Sequence, residues 1–150
     1  MESIVREAVS EDFESWLEMW NNYNSIGGST VGESLTLHTW KRVLDPASPV
    51  ICRIVVYMGE LAGFVLCVLH EGTYSMTQVC YLEDFFVKEK FRGMGLGKAV
   101  LKYIHDEASE KKWSKVYWLT RSNNPARKLY DKVATTDDFV RYRMNIDKQM

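Results

Sequence analysis

The segment from Tyr81 to Ala108, YLEDFFVKEKFRGMGLGKAVLKYIHDEA, constrains the fold more than any other stretch. It begins as an apolar run with two acids, Glu83 and Asp84, set inside it. Gly93, Gly95 and Gly97 follow at alternate positions. Val100, Ile104 and Ala108 then fall at i, i+4 and i+8, one face of a helix over Gly97 to Lys112. Strand, glycine turn and helix in that order call for an α/β architecture. Glycine lets a backbone turn sharply and come close to a ligand. The free N–H groups at the start of a helix bind anions, most often phosphate. A plain strand-to-helix turn is the alternative, and three glycines opening one helix favour the anion site.

Two familiar nucleotide loops fail on spacing. A Walker A loop needs glycine where Arg92 stands and Ser or Thr where Ala99 stands. A Rossmann fingerprint spaces its last two glycines three apart, and here they are two apart. It also wants an acid at the end of the next strand, and KVYWLT ends in Thr120.

The rest of the chain supplies a sheet around this unit. SIVREAV reads as a first strand, with Ser10 as helix cap and Glu11 and Asp12 in the first turn. Phe13, Trp16, Leu17 and Trp20 form one helical face. NNYNSIGGSTVGES reads as a loop. A second helix carries Leu37, Trp40 and Leu44 on one side and ends at DPASP. VICRIVVYMGELAGFVLCVLH is two strands around Met58-Gly59-Glu60, a hairpin. TQVCYLEDFFV and KVYWLT are strands. Asn124 is an N-cap with Pro125 at the first helical position, and Ala126, Leu129 and Val133 give that helix its apolar face. FVRYRMNI is a last strand. The predicted order is β-α-α-β-β-β-α-β-α-β, one mixed sheet flanked by helices in a single domain over 1–150.

Composition agrees with that class. The chain has 150 residues, 46% hydrophobic and 26% charged, enough for one core. A formal net charge of −1 offers no basic field for nucleic acid. No apolar run is long enough for a membrane span, and MESIVREAVSEDF lacks the pattern of a signal peptide. Cys52, Cys67 and Cys80 lie in strand-like runs with no C-x-x-C, so buried reduced thiols and a cytoplasmic location are expected. His38, His70 and His105 are too scattered for a metal site, and no metal is expected.

RGMGLG, Arg92 to Gly97, fits the R/Q-x-x-G-x-G/A signature of the GCN5-related N-acetyltransferase (GNAT) superfamily. NNPARKLYDKVA contains a second motif, N-x-x-A-x-x-L-Y, at Asn123, Ala126, Leu129 and Tyr130. Two motifs in the right order, with a helix and a strand between them, make chance a poor explanation. Nearly the whole chain resembles this superfamily. YLEDFFV resembles the spermidine/spermine acetyltransferases, and VYWLTRSNNPARKLYDKVA resembles the Hpa2-type histone and D-amino-acid acetyltransferases. One departure is that VATTDDF stands where the family often has Gly-Phe after the tyrosine helix.

The resemblance implies acetyl-CoA as co-substrate, with direct transfer to a primary amine. Gly93, Met94, Gly95, Leu96 and Gly97 would wrap the pyrophosphate, with Arg92 and Lys98 adding charge. Phe85, Phe86 and Val87 would bind pantetheine through their backbones, where two parallel strands splay after a bulge. Asn123 would bind the same arm.

Acetyl transfer has two proton problems. An alkylammonium, with a pKa of roughly 10.4, must lose a proton before attack. The departing thiolate must gain one. A base and an acid each contribute about 10²–10⁴-fold. Strand alternation puts Glu83, Phe85 and Val87 on one face and Asp84 and Phe86 on the other. Read from the residues, Glu83 is either a solvent-facing acid or a carboxylate whose pKa its aromatic neighbours raise. The resemblance to the polyamine enzymes makes it the base, with Asp84 attracting a cationic substrate. Tyr130 is either a core tyrosine or, as the second motif implies, the general acid. Trp20 and Tyr23 lead into the Gly27-Gly28 loop, which in this family often lines the acceptor site.

The expected acceptor is a small amine, such as a polyamine or an amino acid, ahead of a histone lysine. A non-catalytic CoA-binding module and an unrelated phosphate-binding domain are the readings of other classes. The presence of both a base and an acid disfavours the first, and the second motif disfavours the other. A homodimer is expected.

Overall fold

The computed structural model describes residues 2–146. One unit spans Met1–Leu119 and a second spans Thr120–Met150.

The first unit is a five-stranded sheet in the order β1-β2-β3-β4-β5. These strands are β1 (Ser3–Glu7), β2 (Val50–Tyr57), β3 (Glu60–His70), β4 (Val79–Val87) and β5 (Val116–Tyr117). Neighbours are antiparallel except β4 and β5, which are parallel. The helices are α1 (Phe13–Ile26), α2 (Glu33–Leu44) and α3 (Leu96–Lys111). Met58 and Gly59 join β2 to β3 with φ of 54° and 75°, the left-handed pair of a tight hairpin. The expected hairpin is therefore present.

The helices bury opposite faces of the sheet. Trp16, Met19 and Trp20 from α1 and Trp40 from α2 pack on Cys52, Ile54, Phe64, Leu66 and Phe86. The Trp16 ring stacks on Trp20 at 5.2 Å and on Trp40 at 4.7 Å. On the other face α3 buries Val100, Ile104 and Ala108, as the periodicity requires. Arg53, buried beneath α3, pairs with Glu107 of that helix. Breaking this pair would strand a charge in the interior. The three cysteines are free and buried, as expected.

Four local expectations need correction. Ser10 does not cap the first helix; its hydroxyl bonds Glu11. Asp12 holds the turn instead, accepting from the Val9 N–H at 2.8 Å and from both arms of the Arg6 guanidinium. The predicted loop after residue 20 is still helix as far as Ile26. There Asn24 Nδ2 donates back to the Trp20 carbonyl, and Tyr23 packs edge-on to Phe64 and Phe86. On α2, Leu37 and Leu44 are exposed, and the buried face is Thr36, Thr39 and Trp40. The indole of Trp20 donates to the Thr36 hydroxyl, so that threonine belongs inside. Finally, β5 covers two residues rather than six.

In the second unit, α4 spans Arg127–Val133. Asn124 Oδ1 accepts from the Ala126 N–H at 2.9 Å, which is the capping contact expected of it, while the regular helix starts two residues later. The predicted last strand does not form. Phe139, Val140, Tyr142, Met144 and Ile146 are all exposed, and no strand pairs with them among the described residues.

Candidate active site

β4 carries the acids and shapes the sheet around them. Its register with β3 runs Phe64↔Phe86, Val65↔Phe85 and Leu66↔Asp84, then jumps to Cys67↔Leu82. Glu83 is the extra residue of a β-bulge. Beyond it the strand's faces exchange, so Asp84 and Phe86 share the face that packs under α1. Glu83 is exposed and Asp84 is half-buried. The bulge re-aims two acids that are neighbours in sequence.

β5 pairs with β4 only at Cys80↔Val116 and Tyr81↔Tyr117. From Leu82 to Val87 that edge of β4 has no strand beside it among the described residues. Backbone amides of a ligand can complete such an edge as an added strand would. Gly63 fixes the opposite side. A Cβ there would collide with the Phe86 carbonyl oxygen, so only glycine permits this approach of β3 to β4.

The glycine turn follows directly. Lys88 leads into a single 3₁₀ turn, Glu89–Phe91, and Arg92 Nε donates back to the Val87 carbonyl at 3.0 Å. That bond ties the turn to the end of β4. Gly93 and Gly95 have φ of 79° and 81°, left-handed values that other residues rarely adopt. A Cβ at either would meet nothing within 4 Å, so the space beside the turn is open. The Gly95 carbonyl accepts from Ala99, which leaves the N–H groups of Leu96, Gly97 and Lys98 heading α3. Met94 and Lys98 are exposed, and Leu96 is buried as the turn's anchor. Open space, left-handed glycines and a helix start with nearby cations suit a pyrophosphate.

Asp84 has a partner that the sequence does not reveal. Tyr23 Oη donates to Asp84 Oδ1 at 2.8 Å, from 61 residues away in sequence. Burial pushes the Asp84 carboxyl up to about 6, with the Glu83 charge adding and the tyrosine's hydrogen bond opposing. Burial, followed by the Asp84 charge, raises the Tyr23 phenol, so it stays a donor. Trp20 stands behind Tyr23 as a core residue, 7% exposed. Of the two aromatics expected at the acceptor site, Tyr23 alone reaches a β4 acid.

In the second unit Asn123 is exposed at the foot of α4, and Tyr130 is half-buried on it. Burial raises the Tyr130 phenol above its ordinary value, so it holds its proton at neutral pH.

Comparison with known proteins decides what this arrangement belongs to. The model of the Acetyltransferase (GNAT) family matches residues 6–134. The chain belongs to the GNAT acetyltransferase family. It is an acyltransferase that uses acetyl-CoA for N-acetylation. A relative is the D-amino-acid N-acetyltransferase HPA3 of Saccharomyces cerevisiae, 27% identical over 145 residues, covering 95% of this chain and 90% of the yeast protein. Among solved structures, a ribosomal-protein-alanine N-acetyltransferase from Brucella melitensis biovar Abortus 2308 superposes with a TM-score of 0.80 at 19% identity, over 97% of this chain and 100% of that one. AAC(6')-Iy, solved with the bisubstrate analogue CoA-S-monomethyl-acetylneamine, gives 0.80 at 18% identity, over 97% and 100%. At these identities the two structures speak to the fold alone. The mixed sheet flanked by helices, with its parting β4 and β5, is the GNAT fold that the sequence motifs implied. Among the described residues no helix is long and apolar enough to cross a membrane.

Proposed function

We propose that this GNAT chain, acting as one domain over residues 1–150, acetylates a small primary amine, a polyamine or an amino acid. The observation that carries the reading is the acidic pair Glu83 and Asp84, set on β4 just past the point where β5 leaves it. Two carboxylates there attract an ammonium, and one of them accepts its proton. The D-amino-acid acceptor in the name of the yeast relative supports a small amine as well.

Acetyl-CoA supplies an activated acetyl group and a thiolate leaving group. The glycine turn and the first N–H groups of α3 hold its pyrophosphate, helped by Arg92 and Lys98. The open edge of β4 at Phe85, Phe86 and Val87 takes the pantetheine arm, and Asn123 assists. Tyr130 gives the thiolate its proton. Tyr23 lines the acceptor side, backed by Trp20. The protein works in the cytoplasm as a homodimer, without a metal, nucleic acid or membrane partner.

The test is a steady-state panel of spermidine, spermine, free D- and L-amino acids and a histone-tail peptide, followed by thiol release from acetyl-CoA. Saturable turnover of a small amine with the highest kcat/KM is expected. If the peptide alone saturates, the acceptor is a protein lysine. Binding of acetyl-CoA with no turnover of any amine would instead make the chain a CoA-binding module.

A further inference from the structure

We propose that Asp84, oriented by Tyr23, is the group that removes the proton from the acceptor ammonium, and that Glu83 acts on it only through its charge. This rests on the N-acetyltransferase reading above and assigns a role within it.

The bulge separates the two acids. Glu83 has no pairing partner on β3, is exposed, and makes no hydrogen bond or ion pair among the described residues. Its position is therefore set by solvent and rotamer freedom. Asp84 is placed opposite Leu66, beside Phe86, under the last turns of α1. The Tyr23 hydroxyl occupies its Oδ1, and Oδ2 has no partner among the described residues. The tyrosine is itself held edge-on by Phe64 at 5.8 Å and Phe86 at 6.1 Å. One oxygen is thus fixed and the other is free to accept, three residues beyond the last β4–β5 pair at Tyr81. A base must be held within hydrogen-bond reach of the proton it takes, and only one of the two acids is held.

The surroundings tune it for the task. The groups around Asp84 that titrate are Tyr23 from α1 and Glu83 from β4, with Tyr81 of β4 acting on Tyr23; β3 presents Leu66 and Phe64. The Arg92 guanidinium lies 5.8 Å from the Phe86 ring. A carboxylate moved toward neutrality is a better proton acceptor than an ordinary one, yet it is still ionised at pH 7.

The step balances. The ammonium passes one proton to Oδ2, giving a free amine and a neutral Asp84. The nitrogen lone pair forms the C–N bond with the acetyl carbon, and the C–S bond breaks with its electron pair on sulfur. The nitrogen's second proton is lost as the amide forms, and a proton ends on the thiol. Asp84 then returns its proton to water.

The test uses the full chain with acetyl-CoA, and spermidine and D-lysine as parallel acceptors, with kcat followed from pH 5 to 9. Wild type should lose kcat on an acidic limb near pH 6. Asp84→Asn keeps a hydrogen-bond acceptor for Tyr23 and should lower kcat by at least ~10²-fold, with the limb gone and the acetyl-CoA KM nearly unchanged. Asp84→Glu should restore part of the rate.

Two further variants move the limb in opposite directions. Tyr23→Phe removes a bond that favours the carboxylate, so the limb should rise in pH. Glu83→Gln removes a repelling charge, so the limb should fall in pH yet persist. These shifts carry the test even if Asp84→Asn folds poorly. The proposal is overturned if Glu83→Gln abolishes the limb while Asp84→Asn keeps it, or if Tyr23→Phe leaves the limb in place. A wild type that binds acetyl-CoA yet turns over neither acceptor, nor any other amine, overturns the enzymatic reading itself.

Discussion

Glu83 and Asp84 are adjacent in sequence and differ in surroundings, and that difference has a thermodynamic consequence. The folded chain raises the Asp84 carboxyl to about 6 by burying it. In the unfolded chain an aspartate titrates at roughly 3.9. Between these values the folded state binds the proton more tightly. Stability therefore stands highest below the window and declines as pH rises through it. Above the window, ionisation costs at most roughly 3 kcal/mol. Asp84→Asn cannot ionise, so it should melt several degrees above wild type at pH 8, at about 2–4 °C per kcal/mol. The difference should vanish near pH 4, and thermal unfolding at the two pH values measures it. Identical pH dependence in both proteins would mean that Asp84 is not desolvated. Tyr130 tests the other proton. Its buried phenol is protonated at neutral pH, and Tyr130→Phe removes that proton and little packing. kcat should fall by ~10²-fold while acetyl-CoA affinity holds, by stopped-flow and calorimetry.

At the scale of elements, the glycine turn and α3 are the clearest case of local instruction. Gly93 and Gly95 need left-handed backbone, and open space beside them leaves strain as the main cost of any side chain. Gly95→Asp should destabilise the fold by only about 1–2 kcal/mol. It should weaken acetyl-CoA binding at least tenfold, because it sets a negative charge where the pyrophosphate must sit; titration calorimetry reads this. Undiminished affinity would refute the loop assignment. This turn, the hairpin at Met58-Gly59 and the buried stripe of α3 were legible because glycine chemistry and periodicity act within a few residues. Other features were not. α1 continues to Ile26 through polar residues because Tyr23 finds aromatic partners on β3 and β4. The buried side of α2 is chosen by Trp20, which donates to Thr36, against a pattern that favoured Leu37 and Leu44. The bulge at Glu83 is a matter of register between strands: alternation grouped Asp84 with Phe86 but did not show the change of face between Leu82 and Asp84. The Tyr23–Asp84 bond spans 61 residues and leaves no local trace.

On the scale of the whole molecule, the segment after α4 poses a question of partners. Val140, Tyr142, Met144 and Ile146 alternate with Arg141, Arg143 and Asn145, a strand pattern. The four apolar residues are 73%, 91%, 89% and 89% exposed and belong to no strand among the described residues. Alternating apolar chain left unpaired is a template for another edge. A second copy offers the same segment, and a twofold axis would satisfy both at once. The expected species in solution is a homodimer, twice the 17.4 kDa of one chain by light scattering. Tyr142→Lys combined with Met144→Lys puts two charges on the apolar side of the segment and should shift the mass toward one chain. In wild type, a single species of 17.4 kDa at assay concentration would refute the dimer. Dimers that persist in the double variant would place the interface elsewhere, since two buried lysines facing their own symmetry mates cost several kcal/mol.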